Sequence, residues 1–405
     1  MSRPTQAQLA RRRALAVGAA VVATALIWLV FIRGGNEDED VGAAAPGGEV
    51  PAGVRELVAE LTPEEKVDGI LLLGFEGTDP GAEIVAELRK RQLGGVLVDE
   101  ENWVDPPQLE GLVGALRSAG ATEDRIPPLV AAPQEGGPFR AFGDLPTAER
   151  QLDIGDSGDT ELAETSAREA GIALRELGFD LNLYPVADVA TLDSPIADRA
   201  YSDDPAVVAA MTAAALRGCA GAEIACAPKH FPGLGAASQS TAEGPATVSL
   251  DLASLAARDL APFETAFVEG APAVVLSHAF YVAYDAVTPA SLSSLISFDL
   301  LREDLGFEGV AITDDLGAGA IEARGSASDA GGSGPQGGSA VTAAAIAAVQ
   351  AGADLLMISS PDDQGDVADA LIEAVGTGEI SEDRLDEAIG RVLALKQEIG
   401  LIGES

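Results

Sequence analysis

Asp180-Leu-Asn-Leu-Tyr184, then Pro205-Ala-Val-Val-Ala-Ala-Met-Thr-Ala-Ala-Ala-Leu-Arg217, then Glu223-Ile-Ala-Cys-Ala227 is the stretch on which the fold turns. A short aliphatic run, a long Ala-rich stretch opened by proline and a second short aliphatic run predict strand, helix and strand, the unit that pairs strands in parallel. The alternation extends outward in both directions. Aliphatic runs at Ile70–Leu73, Gly95–Val98 and Leu129–Ala132 precede it, and others at Ala273–Ser277, Val310–Thr313 and Asp354–Ile358 follow. Helical patterns at Glu161–Leu177, Leu252–Val268 and Ala343–Ala351 lie between them. Eight buried strands separated by helices predict an α/β chain folded as a single (β/α)8 TIM-type barrel over residues 54–402. A doubly wound open sheet is the rival, but it usually has fewer strands, and no Gly-x-Gly-x-x-Gly follows the first one.

Acidic residues outnumber basic ones 65 to 25, for a formal charge of −40. Such a polyanion is repelled by nucleic acid and by anionic headgroups, so neither is an expected partner, and no specific protein partner is evident. The acids are spread along the chain as a solvated surface, and the one tight run, Glu37-Asp-Glu-Asp40, falls in a linker. No metal or organic cofactor is implied. Cys219 and Cys226 are the only cysteines; without clustered histidines they form no zinc site, and a disulfide and two buried thiols are equally open.

The N-terminus reads as a membrane anchor. Arg11-Arg12-Arg13 closes a basic tail (1–13), and an uncharged run occupies 14–32. At a helical rise of about 1.5 Å per residue that run spans roughly 28 Å, near the hydrocarbon thickness of a bilayer. Basic residues before it and acidic ones after it place the tail inside and the remainder outside, a single-pass arrangement with an extracytoplasmic domain. A cleaved secretory signal is the alternative, and either exports the domain. Residues 33–53, rich in Gly, Ala, Pro and acids, read as a flexible linker.

In a barrel the chemistry sits at the C-terminal ends of the strands, and the unusual residues gather there. Gln134-Glu135-Gly136-Gly137 follows the third strand; Asp188 and Asp198-Arg199 follow the fourth. Lys229-His230-Phe231-Pro232-Gly233 follows the fifth, His278 ends the sixth, and Asp314-Asp315 ends the seventh. Two long connections, Pro133–Asp159 and the Gly/Ser-rich Gly325–Ser339, stand where walls or a lid of a site commonly form.

These segments carry a resemblance. Lys229-His-Phe-Pro-Gly-Leu-Gly235 is similar to the Lys-His-Phe-Pro-Gly-His-Gly signature of family 3 glycoside hydrolases of the N-acetyl-β-glucosaminidase (β-N-acetylhexosaminidase) type. Thr313-Asp-Asp-Leu316 resembles that family's nucleophile motif, and Asp198-Arg-Ala-Tyr-Ser-Asp-Asp-Pro205 its sugar-binding segment. The resemblance implies a carbohydrate substrate containing N-acetylglucosamine and a retaining mechanism with Asp314 as nucleophile. It places Lys229, His230 and Arg199 on sugar hydroxyls, with Glu135 and Arg140 also at the substrate. The chain departs from the pattern in the acid/base loop, where Ser240-Thr241-Ala242 replaces Asp-Ser-His. Leu234 replaces the signature's second histidine, Pro133 replaces a sugar-binding aspartate, and Arg140 lies one position off the family's arginine. Neither His230 nor His278 is expected to substitute, and Glu243, beside the lost histidine, is the candidate acid. Two readings follow: an exported hydrolase of terminal β-linked N-acetylglucosamine in cell-wall glycan turnover, or an impaired relative that binds cell-wall glycan or a protein partner.

Overall fold

Every aliphatic run expected to form a strand contains one; Leu129–Ala132 and Val310–Thr313 match in full and the others are trimmed at one or both ends. The computed structural model of the protein describes residues 50–121, 125–323 and 339–403. The strands are β1 (Leu71–Leu73), β2 (Gly95–Leu97), β3 (Leu129–Ala132), β4 (Leu181–Asn182), β5 (Ala225–Cys226), β6 (Lys229–Phe231), β7 (Thr247–Val248), β8 (Ala273–Leu276), β9 (Phe280–Tyr281), β10 (Val310–Thr313) and β11 (Leu356–Ile358). The longer helices are α1 (Ala52–Glu60), α2 (Pro63–Gly69), α3 (Glu83–Leu88), α4 (Pro106–Gly120), α5 (Gln151–Ser157), α6 (Thr160–Leu177), α7 (Pro205–Gly221), α8 (Ala261–Val268), α9 (Ala340–Ala351), α10 (Pro361–Thr377) and α11 (Glu382–Glu398). Local chemistry sets their ends. Asp204 accepts the Ala206 amide at 2.8 Å to cap α7, with Pro205 in the first turn, where a missing N–H costs nothing. Pro262 interrupts the single helix expected over Leu252–Val268, and the chain widens so that Leu260 N reaches Leu255 O at 3.0 Å.

The expectation of one closed barrel behind a membrane anchor is corrected. The strands pair in parallel, but as open sheets: β11-β1-β2-β3-β4-β5, then β10-β8-β6, with a separate β7-β9 pair. The seams between the two larger sheets are spanned by isolated bridges, Val186 with Lys229 and Ile312 with Leu355, and by backbone bonds such as Lys229 N to Pro185 O (2.9 Å) and Thr313 N to Leu355 O (3.0 Å). Within the second sheet, β6 meets β8 with a register shift between Lys229 and Phe231. Among the described residues no helix is long and apolar enough to cross a membrane. The tail expected at 1–13, the anchor at 14–32 and the linker up to residue 49 lie outside the described residues, as do residues 325–338 of the Gly/Ser-rich connection. The linker's expected end at residue 53 is also late, because α1 begins at Ala52.

The sheets bury Leu, Val, Ile and Ala from nearly every strand position. Carboxylates brace the N-terminal ends of the strands. Asp354, ahead of β11, accepts from Arg302 (2.6 Å), Arg384 (2.8 Å) and Arg391 (3.1 Å). Cys219 at the end of α7 and Cys226 in β5 form a disulfide with Cα atoms 6.2 Å apart, within the ordinary reach of such a link.

Lys396 on α11 is 1% exposed. Burial draws its ammonium from 10.5 down to about 7, with Asp180 the opposing influence. Between those values the unfolded chain holds a proton that the folded chain has lost. The stability contributed by this residue is therefore lowest below pH 7 and rises with pH up to about 10.5. Lys396→Met is expected to stabilise the protein at pH 7, on the order of 4 kcal/mol in urea unfolding, with the gain vanishing above pH ~10. An equal gain at both pH values would contradict the burial argument.

Candidate active site

Glu135 is placed by the turn that follows β3. Gly136 and Gly137 adopt φ values of 104° and 54°, and a Cβ on Gly136 would lie 2.6 Å from Glu149 O. Gln134 fixes the turn from within: its amide nitrogen donates to Pro146 O at 2.8 Å, and its side-chain oxygen accepts from Phe142 N at 3.1 Å. The Glu135 carboxylate, 6% exposed, receives Arg199 through two parallel bonds of 2.7 and 2.9 Å and Lys229 Nζ at 2.6 Å. Burial pushes this carboxyl up, but Lys229 and Arg199 outweigh it and hold it at about 2. Burial likewise draws Lys229 down against the pull of Glu135, while Glu135 outweighs burial at Arg199 and raises it. The two cations are locked by one carboxylate into a fixed donor array.

Asp188, after β4, is fully buried and accepts three bonds: His230 Nδ1 at 2.8 Å on one oxygen, and the amides of His230 (3.1 Å) and Leu234 (2.6 Å) on the other. Because an ionised carboxylate only accepts, His230 Nδ1 is the protonated nitrogen. Gly233 closes this turn at φ 123°, where a Cβ would lie 2.5 Å from the Cβ of Asp259. His278, after β8, is engaged at both ring nitrogens, Nδ1 with Ser291 Oγ at 2.6 Å and Nε2 with Asp315 O at 2.9 Å. Nε2 must donate to that carbonyl, so in the neutral ring Nδ1 accepts from the serine. Burial lowers this histidine's basicity.

Asp314 and Asp315 separate in role. Asp315 Oδ1 accepts Gly317 N (3.1 Å) and Ser359 N (3.0 Å), tying the end of β10 to the end of β11. Asp314 accepts the Asp315 amide at 3.0 Å and makes no side-chain ion pair among the described residues. Burial pushes its carboxyl up, and His230, His278, the Asp315 amide and Lys229 together outweigh that and hold it below the ordinary carboxylate range.

The other sequence candidates sit elsewhere. Arg140 donates to Gly137 O (2.8 Å) and Leu145 O (3.0 Å) and so braces its own loop. Glu243 is exposed, and its side chain makes no hydrogen bond or ion pair among the described residues. Its loop is pinned by Gly319 N to Ala242 O (3.1 Å) and Ala320 N to Thr241 O (3.0 Å), which join it to the segment after Asp314. The Asp188–His230 pair was not visible in the sequence as a pair. The only signal was that Asp188 follows a strand, as the other site residues do. Two cavities of about 360 and 490 Å³ open at the N-terminal ends of the strands beside Pro272 and Glu398, and neither is lined by these residues.

A locked Glu–Arg–Lys cluster, an Asp–His pair and an unclamped carboxylate thus lie at the C-terminal ends of parallel strands in an α/β fold. Residues 59–395 match the glycosyl hydrolase family 3 N-terminal domain, and the chain belongs to this family of glycoside hydrolases. It is 33% identical over 332 residues to a β-hexosaminidase of Stenotrophomonas maltophilia, covering 80% of this chain and 91% of that protein. A Xanthomonas campestris β-hexosaminidase is 30% identical over 347 residues, covering 82% and 92%. Among solved structures, a family 3 β-N-acetylglucosaminidase from Paenibacillus superposes with a TM-score of 0.76 at 32% identity. This match covers 85% of the present chain but 64% of that one, less than two thirds of its length. A β-N-acetylhexosaminidase from Beutenbergia cavernae gives 0.72 at 27% identity, covering 84% and 99%.

The clamp around Glu135 has a measurable cost of removal. Relative to an ordinary 4.5, a folded value of about 2 contributes about 3 kcal/mol that is fully present above pH ~4.5 and is lost as pH falls through 2. Glu135→Gln leaves buried Lys229 and half-buried Arg199 without their counter-charge, so thermal unfolding at pH 7 is expected to show a loss of about 3 kcal/mol. An unchanged melting temperature would show that the cluster is not the structural hub of the site.

Proposed function

We propose that this chain hydrolyses terminal β-linked N-acetylglucosamine with retention of configuration, using Asp314 as nucleophile, and that it acts outside the cytoplasm on cell-wall glycan fragments. The observation that carries the reading is the state of Asp314: at the end of β10, held below the ordinary carboxylate range and paired with no cation among the described residues. In the glycosylation step its oxygen attacks the anomeric carbon as the bond to the leaving oxygen breaks. Water then releases the sugar from the resulting ester. Lys229 and Arg199, held by Glu135, present N–H groups to sugar hydroxyls. The β-hexosaminidase names of the relatives support the sugar, and the Cys219–Cys226 disulfide supports an oxidising compartment.

The second reading, a glycan-binding relative without turnover, draws on the loop at 240–244. It carries no acid/base dyad, and backbone bonds hold it against residues 319–320.

Hydrolysis of 4-nitrophenyl β-N-acetylglucosaminide separates the two. Turnover is expected, and Asp314→Asn is expected to reduce it on the order of 10³-fold or more without changing the melting temperature by more than a few degrees. A folded but inert wild-type chain that still binds chito-oligosaccharide would establish the second reading.

A further inference from the structure

Asp180, Asp188 and Asp354 are fully buried, and each accepts at least one backbone amide: Val130 N (3.0 Å) at Asp180, Ala311 N (3.0 Å) at Asp354, and His230 N and Leu234 N at Asp188. Asp259, also 0% exposed, accepts none among the described residues. Its side chain meets only Arg258 Nη1, 3.4 Å from both carboxyl oxygens. A single contact of that length is weak compensation for a charge removed from water. The residue stands on the widened turn Leu255–Asp259, a distortion of the helical ladder that is frequent at functional sites.

Asp259 packs against the turn that closes on Asp188. A Cβ on Gly233 would lie 2.5 Å from Asp259 Cβ and 3.2 Å from its Oδ1. The next amide in that turn, Leu234 N, donates to Asp188 at 2.6 Å, and Asp188 accepts His230 Nδ1 at 2.8 Å. Arg258 completes a circuit, because its Nη2 donates at 2.5 Å to the carbonyl of Val189, the residue after Asp188. Gly235 is pressed against the same carbonyl, where a Cβ would lie 1.9 Å from the oxygen. One guanidinium therefore has two claimants, Val189 O and the Asp259 carboxyl. Burial pushes that carboxyl up to about 7, with Arg258 opposing the rise and Asp188 adding to it. Tyr281, whose phenol donates to Gly233 O at 3.0 Å, is the other titratable group beside it.

We propose that Asp259 is a positioning residue for the Asp188–His230 pair and acts on it through Arg258. While the Asp259 carboxyl is neutral, Arg258 stays on Val189 O and holds the loop that carries Asp188. The carboxylate, formed when the carboxyl gives its proton to water, makes a charge-assisted pair with the same guanidinium. Such pairs settle at about 2.7–2.9 Å, shorter than the present 3.4 Å, so Arg258 is drawn off the carbonyl. The freed loop then holds the imidazole less firmly, and sugar binding weakens. The proposal rests on the glycosidase reading, in which His230 meets a sugar hydroxyl. Arg258 and Asp259 act from behind the pair, so their effect falls on KM more than on kcat.

The test measures KM and kcat of the full chain on 4-nitrophenyl β-N-acetylglucosaminide from about pH 5 to about pH 9. KM is expected to rise about two- to tenfold as pH passes 7, the worth of one hydrogen bond, with a smaller change in kcat. Asp259→Asn, neutral at every pH, is expected to keep the acid-side KM throughout. Arg258→Gln is expected to show the raised KM at every pH. The same rise of KM near pH 7 in Asp259→Asn, whatever its melting temperature, would make Asp259 a structural residue only and overturn the proposal. A parent KM that stays flat across the range would overturn it as well. Should Asp259→Asn fail to fold, Arg258→Gln decides, because an inflection near pH 7 that survives without the guanidinium contradicts the circuit. A parent with no turnover at any pH would sink the glycosidase reading instead. Calorimetric Kd values for chitobiose over the same range then read the proposal, a rise through pH 7 supporting it and a flat profile overturning it.

Discussion

The carboxylate of Glu135 joins three parts of the chain that are far apart in sequence: the turn after β3, the loop carrying Arg199 after β4, and Lys229 in β6. Three charges removed from water are tolerated only because each satisfies the others, and losing one partner leaves the rest exposed to the full desolvation penalty. The rest of the site follows from this constraint. With Lys229 fixed, its neighbour His230 is directed to Asp188, and the turn through Gly233 and Leu234 closes on the same carboxylate. Across the site, β8 and β10 bring His278 and Asp314 to the same end of the sheets.

This arrangement also explains how one end of the fold carries several carboxylates without confusion of roles. Glu135 is neutralised by cations, Asp188 orients a ring, and Asp315 ties two strands together. Asp314 accepts only the neighbouring Asp315 amide among the described residues. The distinction is made by surroundings and not by residue type, and pKa tuning of paired carboxylates works in the same way. The opposite end of the strands uses charge differently: Asp354 with its three arginines holds helices to β11 and faces no reactive group.

Much of this was legible in the sequence, and the exceptions have physical reasons. Strand positions are marked by aliphatic runs whose burial leaves no alternative, so β1 to β5, β8, β10 and β11 fall inside the expected segments. The motif residues are visible because charged groups beside Pro and Gly at strand ends have no packing role to hide behind. Whether the strands close into a ring depends on backbone pairing between segments far apart in sequence, which periodicity does not register. Arg140 looked like a substrate ligand by position, yet its guanidinium reaches two carbonyls of its own loop first. Asp188 and His230 lie 42 residues apart, and the isolated parallel bridge between Val186, after β4, and Lys229 brings them together.

On the proposed mechanism, Asp314 forms a covalent bond to the sugar. Incubating the enzyme with a 5-fluoro-N-acetylglucosaminyl fluoride slows breakdown of the glycosyl-enzyme relative to its formation, and peptide mapping by mass spectrometry then locates the label. The account predicts one sugar per chain, on the peptide carrying Asp314-Asp315 and lost in Asp314→Asn. A sugar attached elsewhere, or none on an enzyme that turns over aryl glycosides, would contradict it.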